Sequence, residues 1–222
     1  RFKINIYSYG PPEKNYYLNK FKKEVNKFVD ISKTSDYESA KKIFLDKIDI
    51  LIDLKGFTGD TRLEIFALKP APIQISWLGF PGSTGAKFID YIITDKIVTP
   101  KSDQKYYSEK FLFMPDTYQI NDDNRKIADI KFKRKNKGII FCCFNRSTKI
   151  EAKLFDSWMN ILKNVPDSII WLWKENELMI KNLQKEAINR SVNPNRLVFS
   201  SSMPADKHLA RLKLADIALD TF

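Results

Sequence analysis

One lysine of this chain lies in a polar loop where it could take part in binding or catalysis. In CCFNRSTKIEAK, residues 142–153, an apolar run ends at Phe144 and Lys149 stands shortly before a predicted helix. Free N–H groups at a helix start and a nearby ammonium group can together hold phosphate. The other interpretation is that Ser147 or Thr148 simply caps this helix, and both can hold at once.

The only histidine of the chain stands in a second loop of this kind, FSSSMPADKHLARLKLAD, residues 199–216. His208 and Arg211 are three residues apart and face the same side of a predicted helix, which Ser202 or Asp206 can cap. A lone histidine usually fills a surface or core position, whereas one beside an arginine at a strand end is well placed for a ligand. The residues alone support both roles equally.

A third loop holds three of the seven glycines. In KPAPIQISWLGFPGSTG, residues 69–85, Gly79, Gly82 and Gly85 follow a predicted strand. Glycine there lets a ligand approach the main chain closely, and Pro81 stiffens the exit from the strand. On these residues alone, a connection that needs positive φ is the favoured interpretation.

Alternating strands and helices must position these loops. Apolar periodicity predicts a parallel sheet covered by helices on both faces. Thr61 or Asp60 is the predicted N-cap of the third helix. The predicted strands are 2–9, 28–32, 48–54, 72–79, 88–95 and 111–115. The predicted helices are 13–28, 36–47 and 61–69, with a further helical segment at 100–110.

The apolar periodicity stops at about residue 116 and starts afresh near 137. We therefore predict an α/β fold with two Rossmann-like lobes, 1–118 and 137–222, joined by a linker at 119–136. In such a fold a ligand binds between the two sets of strand C-terminal ends. The second lobe has predicted strands at 138–144, 168–174, 196–200 and 216–220 and predicted helices at 151–165, 175–190 and 205–215.

The charge balance excludes little. Lys+Arg 38 against Asp+Glu 27 gives a net charge of +11, which favours an anionic partner. The lysines are scattered, however, and no RNA-binding or helix-turn-helix signature accompanies them, so we expect no nucleic acid partner. Only Lys131 to Lys137 is concentrated, and such a run is usually a solvated linker.

Two features indicate the compartment. Cys142 and Cys143 are neighbours that point to opposite faces of a strand, which is typical of buried apolar residues in a reducing environment. No apolar run approaches the roughly 20 residues of a membrane helix and no signal peptide is recognisable. We expect a cytoplasmic protein without a membrane partner, truncated at both ends because the sequence starts without methionine and stops on a strand.

Four stretches resemble a known family. They are DLKGFTGDTRLEIFALKPAPIQISWLGFPGSTGAKFIDYIITD, YSEKFLFMPDTYQ, CCFNRSTKI and FSSSMPADKHLARLKLADIALDT. In that order they are similar to the catalytic region of the O-linked N-acetylglucosamine transferase and SPINDLY family. The likeness runs from about Asp49 to the C-terminus and more loosely back to Phe2.

This resemblance implies a GT-B glycosyltransferase core with a UDP-sugar in the cleft between two Rossmann-like lobes. Lys149 would neutralise the diphosphate and stabilise the UDP leaving group, a task that requires neither metal nor other cofactor. The main chain of Met203 and the ring of His208 would hold the uracil, and Arg211 would support the pocket. Leu78, Gly79 and Pro81 would lie at the sugar end, and Thr58 and Arg62 on the acceptor side.

The sequence departs from the family pattern at three positions. Arg146 replaces the Gln or Asn of many members, where it could add a phosphate contact or crowd the base. Ala205 stands in place of a nucleotide-binding lysine, and Gly59 in place of a lysine near the acceptor of animal members. The family's proposed catalytic histidine would precede Arg1, and its His-Thr-Thr stretch would follow Phe222.

The resemblance therefore predicts a fragment of an inverting glycosyltransferase that moves N-acetylglucosamine from UDP to Ser/Thr hydroxyls of a protein acceptor. We expect little activity from these residues alone. Two alternatives stay open: a transferase with another donor sugar, such as a SPINDLY-like fucosyltransferase, and a non-catalytic scaffold with a basic surface.

Overall fold

The computed structural model describes residues 2–10, 16–134 and 137–221. The chain divides into two compact units, Arg1–Asn121 and Asp122–Phe222. The division at Asn121 falls within the segment 119–136, of which residues 135 and 136 lie outside the described part of the chain. The bounds of that segment as a linker stay a prediction.

The first unit alternates short strands with helices. Its elements are β1 (Asn5–Ser8), α1 (Tyr16–Glu24), β2 (Lys27–Asp30), α2 (Asp36–Leu45), β3 (Ile50–Asp53), α3 (Leu63–Ala67), β4 (Ile73–Ser76), β5 (Tyr91–Thr94) and β6 (Lys110–Phe113). The first three residues of the predicted helix 13–28 lie outside the described residues. The predicted helical segment 100–110 contains a 3₁₀ helix, Lys101–Tyr106.

These strands form two parallel sheets. β1 pairs with β2, and the other four strands follow the order β3-β4-β5-β6. Asp53 at the end of β3 lies opposite Ser76 at the end of β4, so the loops after both strands leave the same edge. That edge carries the glycine-rich loop.

Helices α2 and α3 pack on one face of the first unit. Ile43 of α2, Phe66 of α3 and Leu51 of β3 belong to a single buried cluster. A capping box between Ser35 and Glu38 starts α2. The predicted cap of α3 is wrong, because Arg62 occupies the N-cap position without a side-chain hydrogen bond.

The opposite face of the four-stranded sheet is largely exposed. Ile50 and Ile52 of β3 are 49% and 41% exposed, and Ile73 and Leu112 are also more than a third exposed. The connections from β3 to β6 all advance in one direction across the sheet, and right-handed crossovers therefore place them on one common face. The topology thus explains why this face keeps exposed aliphatic rows.

The second unit is a second parallel α/β layer. Its elements are β7 (Ile140–Cys143), α4 (Ala152–Asn164), β8 (Ile169–Trp173), α5 (Glu177–Asn189), β9 (Leu197–Ser200), α6 (Ala205–Leu212) and β10 (Ile217–Ala218). The strand order is β10-β7-β8-β9. This corresponds to the order 3-2-1-4 of a doubly wound fold, in which the switch point lies between the first and fourth strands, here β7 and β10.

Both faces of this second sheet are packed. Cys143 and Phe141 join the cluster formed with α4 and α5, which includes Trp158. Cys142 and Trp171 belong to a separate cluster on the other face. The prediction that the two buried cysteines point to opposite faces is confirmed.

Part of the segment between the two predicted lobes is fastened to the second unit. The N–H of Ala128 donates to the carbonyl of Asp206, 3.1 Å away. The guanidinium of Arg134 contacts both carboxylate oxygens of Asp216 at 2.8 and 2.9 Å. These contacts anchor the segment to α6 and to the start of β10.

Candidate functional site

The loop after β7 leaves the sheet at the switch point and carries Lys149. A 3₁₀ turn, Ser147–Lys149, precedes α4, whose N-cap position is Glu151. The ammonium group of Lys149 is exposed and has no hydrogen bond or ion pair with the described residues. Unlike a lysine held in an ion pair, it is available for an anionic ligand.

Hydrogen bonds from two residues hold this loop in place. Asn145 Nδ2 donates to Asp220 Oδ1 at 3.1 Å and to Thr221 Oγ1 at 3.0 Å, which joins the loops after β7 and β10. The main-chain N–H and the hydroxyl of Ser147 both donate to Glu175, which follows β8. The predicted capping of α4 by Ser147 or Thr148 is therefore wrong, since α4 has no side-chain cap.

Arg146 is exposed at the tip of the same loop. Hydrogen bonds from Ser147, together with the positive charge of Arg146, lower the pKa of the Glu175 carboxyl. The role of Arg146 in phosphate contact or base crowding stays a prediction.

His208 and Arg211 form one unit on α6. Arg211 Nε donates to His208 Nδ1 at 2.9 Å, and Arg211 Nη1 donates to the carbonyl of Ser201 at 2.9 Å. The imidazole stands edge-on to the ring of Phe144, with 5.0 Å between the ring centroids. Because Phe144 directly follows β7, this contact links α6 to the Lys149 loop.

Arg211 is a buried cation with aromatic neighbours. Only 3% of the residue is exposed, and its guanidinium lies 4.9 Å from the centroid of Phe144 and 5.7 Å from that of Trp171. No carboxylate of the described residues forms an ion pair with it. Ring faces and a carbonyl thus replace the usual counterion.

This arrangement fixes the state of the histidine. Burial and the charge of Arg211 lower the pKa of His208, which favours the neutral ring. Because Nδ1 accepts from Arg211, the proton of the neutral ring is on Nε2. His208 therefore offers an N–H donor and an apolar ring face to a ligand.

Met203 lies half-buried between β9 and α6. The neighbouring hydroxyl of Ser202 accepts from Trp173 Nε1 at 2.9 Å. α6 begins after Pro204 and lacks a side-chain cap, so its predicted capping by Ser202 or Asp206 is wrong. Main-chain hydrogen bonds of Met203 are absent from the described structure, which leaves its N–H and C=O for a ligand.

The glycine-rich loop of the first unit is strained at Leu78. This leucine has φ +62°, in the left-handed region that side chains with a Cβ rarely occupy. A Cβ on Gly79 would stand 2.5 Å from the carbonyl oxygen of Lys55. Gly79 is thus required by close contact between the loops after β3 and β4, whereas positive φ applies to Leu78 and Gly85.

A buried carboxylate that the sequence did not reveal anchors the rest of this loop. Glu109 accepts from the hydroxyl of Ser83 at 2.7 Å and from the N–H of Thr84 at 2.7 Å. Burial alone would raise its pKa, but these hydrogen bonds outweigh burial and lower it. The carbonyl of Pro81 accepts from Tyr107 Oη at 2.7 Å.

The predicted acceptor-side residues lie close to the same edge. The hydroxyl of Thr58 donates to the carbonyl of Lys55, against which Gly79 packs. Arg62 donates to the Asp36 carboxylate at 2.7 Å and to two main-chain carbonyls of the β2–α2 loop at 2.8 Å each. In the structure Arg62 therefore fastens that loop, and an acceptor role for it stays a prediction.

The structure thus assembles the predicted residues in two groups. Lys149, Arg146, Met203, His208 and Arg211 belong to the second unit, and Leu78, Gly79, Pro81, Thr58 and Arg62 to the first. Contacts inside each group place the loops at the C-terminal ends of parallel strands, where ligands of open α/β sheets bind.

The described residues contain neither a metal-binding cluster nor a membrane-spanning helix. Clusters of three or more His, Cys, Asp or Glu side chains suited to a metal ion are absent from them. Within the same residues, the helices are too short or too polar to cross a bilayer.

Comparison with known proteins gives a consistent result. The model of glycosyl transferase family 41 matches residues 1–137 and 130–222. The probable UDP-N-acetylglucosamine–peptide N-acetylglucosaminyltransferase SEC of Arabidopsis thaliana is 38% identical over 228 residues, which covers 98% of this chain and 23% of the relative. The probable UDP-N-acetylglucosamine–peptide N-acetylglucosaminyltransferase SPINDLY of Petunia hybrida is 28% identical over 231 residues. The match covers 100% of this chain and 25% of the relative.

A solved structure is also similar. A mutant of the Thermobaculum terrenum O-GlcNAc transferase matches with a TM-score of 0.86 and 28% identity, covering 99% of this chain and 42% of that one. This match confirms the predicted α/β fold with Rossmann-like units of the GT-B type. The chain spans about a quarter of the length of these sequence relatives. It belongs to glycosyl transferase family 41.

Proposed function

We propose that this chain contributes the donor-binding residues of a UDP-N-acetylglucosamine-dependent transferase that modifies Ser/Thr hydroxyls of proteins. The observation that carries the proposal is the loop of Lys149, which is fixed by Asn145 and Ser147 yet leaves the ammonium exposed. Family membership and the activities for which the Arabidopsis and Petunia relatives are named support the same donor and a protein acceptor.

The second unit binds the UDP moiety in this proposal. The uracil contacts the neutral ring of His208 and the main-chain groups of Met203, both of which are accessible. Arg211 holds the ring of His208 in orientation through Nδ1. Lys149 contacts the diphosphate with a charge-assisted hydrogen bond.

The reaction is an inverting substitution at the anomeric carbon. The acceptor oxygen forms a bond to C1 of the sugar, the bond between C1 and the phosphate oxygen breaks, and its electron pair passes to the β-phosphate of UDP. The hydroxyl proton passes to a base. Lys149 stabilises the negative charge that develops on the leaving phosphate, so we propose no metal ion or cofactor for this step.

The first unit contacts the sugar through Leu78 and Gly79 and the acceptor through Thr58. Close main-chain packing at Gly79 gives this loop a defined shape, as substrate positioning requires.

Isothermal titration calorimetry with UDP, GDP, UMP and UDP-N-acetylglucosamine tests the proposal. We expect UDP to bind tighter than GDP and UMP, and UDP-N-acetylglucosamine to bind as well. Absence of UDP binding would contradict the proposal and favour the non-catalytic scaffold. Preference for GDP over UDP would assign another donor.

A further inference from the structure

Asp53, at the end of β3, is a buried carboxylate without an ion pair in the described residues. Only 5% of it is exposed, and burial raises its pKa. Its two oxygens accept from the N–H of Lys55 at 3.1 Å and from the N–H of Gly56 at 2.7 Å. A buried carboxylate is costly unless hydrogen bonds satisfy it, so this group is committed to the turn that follows β3.

The turn is shaped by these two hydrogen bonds. Gly56 has φ +55°, and the N–H and the hydroxyl of Thr58 both donate to the carbonyl of Lys55. The side chain of Asp53 holds the N–H side of the turn, while Thr58 holds the C=O side. The orientation of the Lys55–Gly56 peptide is therefore determined from both sides.

Gly79 packs against the Lys55–Gly56 peptide. A Cβ at residue 79 would meet Lys55 O at 2.5 Å, Lys55 C at 2.7 Å and Gly56 N at 3.0 Å. The preceding residue, Leu78, holds a left-handed conformation that needs support from its surroundings. Movement of the Lys55–Gly56 peptide would therefore allow Leu78 and Gly79 to relax.

We propose that Asp53 is a positioning residue for the sugar end of the donor site. It acts through the Lys55–Gly56 peptide on Leu78 and Gly79, without contacting the donor itself. The inference rests on the proposed function, in which that loop contacts the sugar of the UDP-sugar. It assigns Asp53 to sugar binding and leaves UDP binding to the second unit.

The test compares UDP with UDP-N-acetylglucosamine for the wild-type chain and Asp53→Asn. Asparagine keeps the shape of the side chain, but it places an NH₂ donor where one of the two carboxylate oxygens accepts a main-chain N–H. Calorimetry should show UDP affinity within twofold of wild type and an affinity for UDP-N-acetylglucosamine about tenfold weaker. A role in stability alone would not separate the two ligands.

Asp60→Asn is the matched control. Asp60 is exposed in the same loop, its carboxylate makes no hydrogen bond with the described residues, and asparagine tolerates its φ of +57°. This control should bind both ligands like the wild type. If Asp53→Asn does not fold, Thr58→Val loosens the same peptide from an exposed position and should weaken only UDP-N-acetylglucosamine, about threefold.

The outcomes separate the two proposals. A wild-type chain that does not bind UDP overturns the proposed function and this inference with it. If the wild type binds both ligands, unchanged affinities in Asp53→Asn, or equal losses for UDP and UDP-N-acetylglucosamine, overturn the role of Asp53 alone.

Discussion

Replacing Lys149 by alanine isolates the contribution of one charge to nucleotide binding. The ammonium is exposed and has no partner in the described residues, so its removal should change the free energy of unfolding by less than about 0.5 kcal/mol. A free-energy change larger than this should therefore appear only in the affinity for the ligand.

Coulomb's law sets the size of that change. Two unit charges 4 Å apart interact by about 1 kcal/mol in water and about 4 kcal/mol near a protein surface. A charge-assisted hydrogen bond contributes about 1.5 to 3 kcal/mol, between these limits. We therefore expect UDP to bind Lys149→Ala about 10- to 150-fold more weakly than the wild type.

Calorimetry with UDP and UMP locates the effect on the diphosphate. UMP lacks the β-phosphate, so its affinity should fall by no more than about threefold in Lys149→Ala. Lys163→Ala is the control, because it removes the same charge from an exposed position in the last turn of α4. Unchanged UDP affinity in Lys149→Ala, or an equal loss in Lys163→Ala, would refute the assignment.

Three further predictions concern single residues. The NMR resonances of His208, the only histidine, should titrate below pH 6.5, and Arg211→Met should raise its pKa. Because the pKa is lowered in the folded state, the stability that His208 contributes is present above pH 6.5 and is lost as the pH falls. Gly79→Ala should lower the free energy of unfolding by about 1 to 3 kcal/mol in urea titrations, because its Cβ meets main-chain atoms; Gly59→Ala, which has open space, is the control. Arg62→Lys should lower the free energy of unfolding by about 3 kcal/mol in the same assay, since one ammonium cannot replace the guanidinium contacts with Asp36 and two carbonyls. An unfolding curve like that of the wild type would contradict this role of Arg62.

The order of strands and helices was predictable because it depends on local periodicity. Alternating aliphatic residues in β3 and the apolar stripe of α4 produce their patterns within a few residues. The pairing of His208 with Arg211 was equally local, since three residues on a helix bring side chains together. The resemblance to known proteins then indicated the fold type that the structural comparison confirms.

The cap predictions for α4 and α6 failed because distant partners bind the same serine side chains. Ser147 is a good capping residue by type, but it binds Glu175, 28 positions away. Ser202 similarly accepts a hydrogen bond from Trp173. Propensity describes what a serine can do next to a helix and contains no information about a carboxylate that the fold brings to it.

The anchors of the glycine-rich loop were unpredictable for a related reason. Asp53 and Glu109 look like ordinary acidic residues in the sequence, and their burial depends on the packing of neighbouring strands. The left-handed conformation of Leu78 has no sequence signature, because leucine is rarely found there. The three glycines indicated the location of the loop, while the reason for Gly79 required the position of Lys55.

The exposed isoleucines of the first unit favour self-association of this chain in solution. Ile50 and Ile52 belong to β3, an edge strand of the sheet formed by the described residues, and the free edge of such a strand can recruit another strand. The net charge of +11 keeps copies apart in dilute buffer, but added salt screens that repulsion. We therefore expect aggregation at high protein concentration and high ionic strength. Binding should be measured at low protein concentration and low ionic strength.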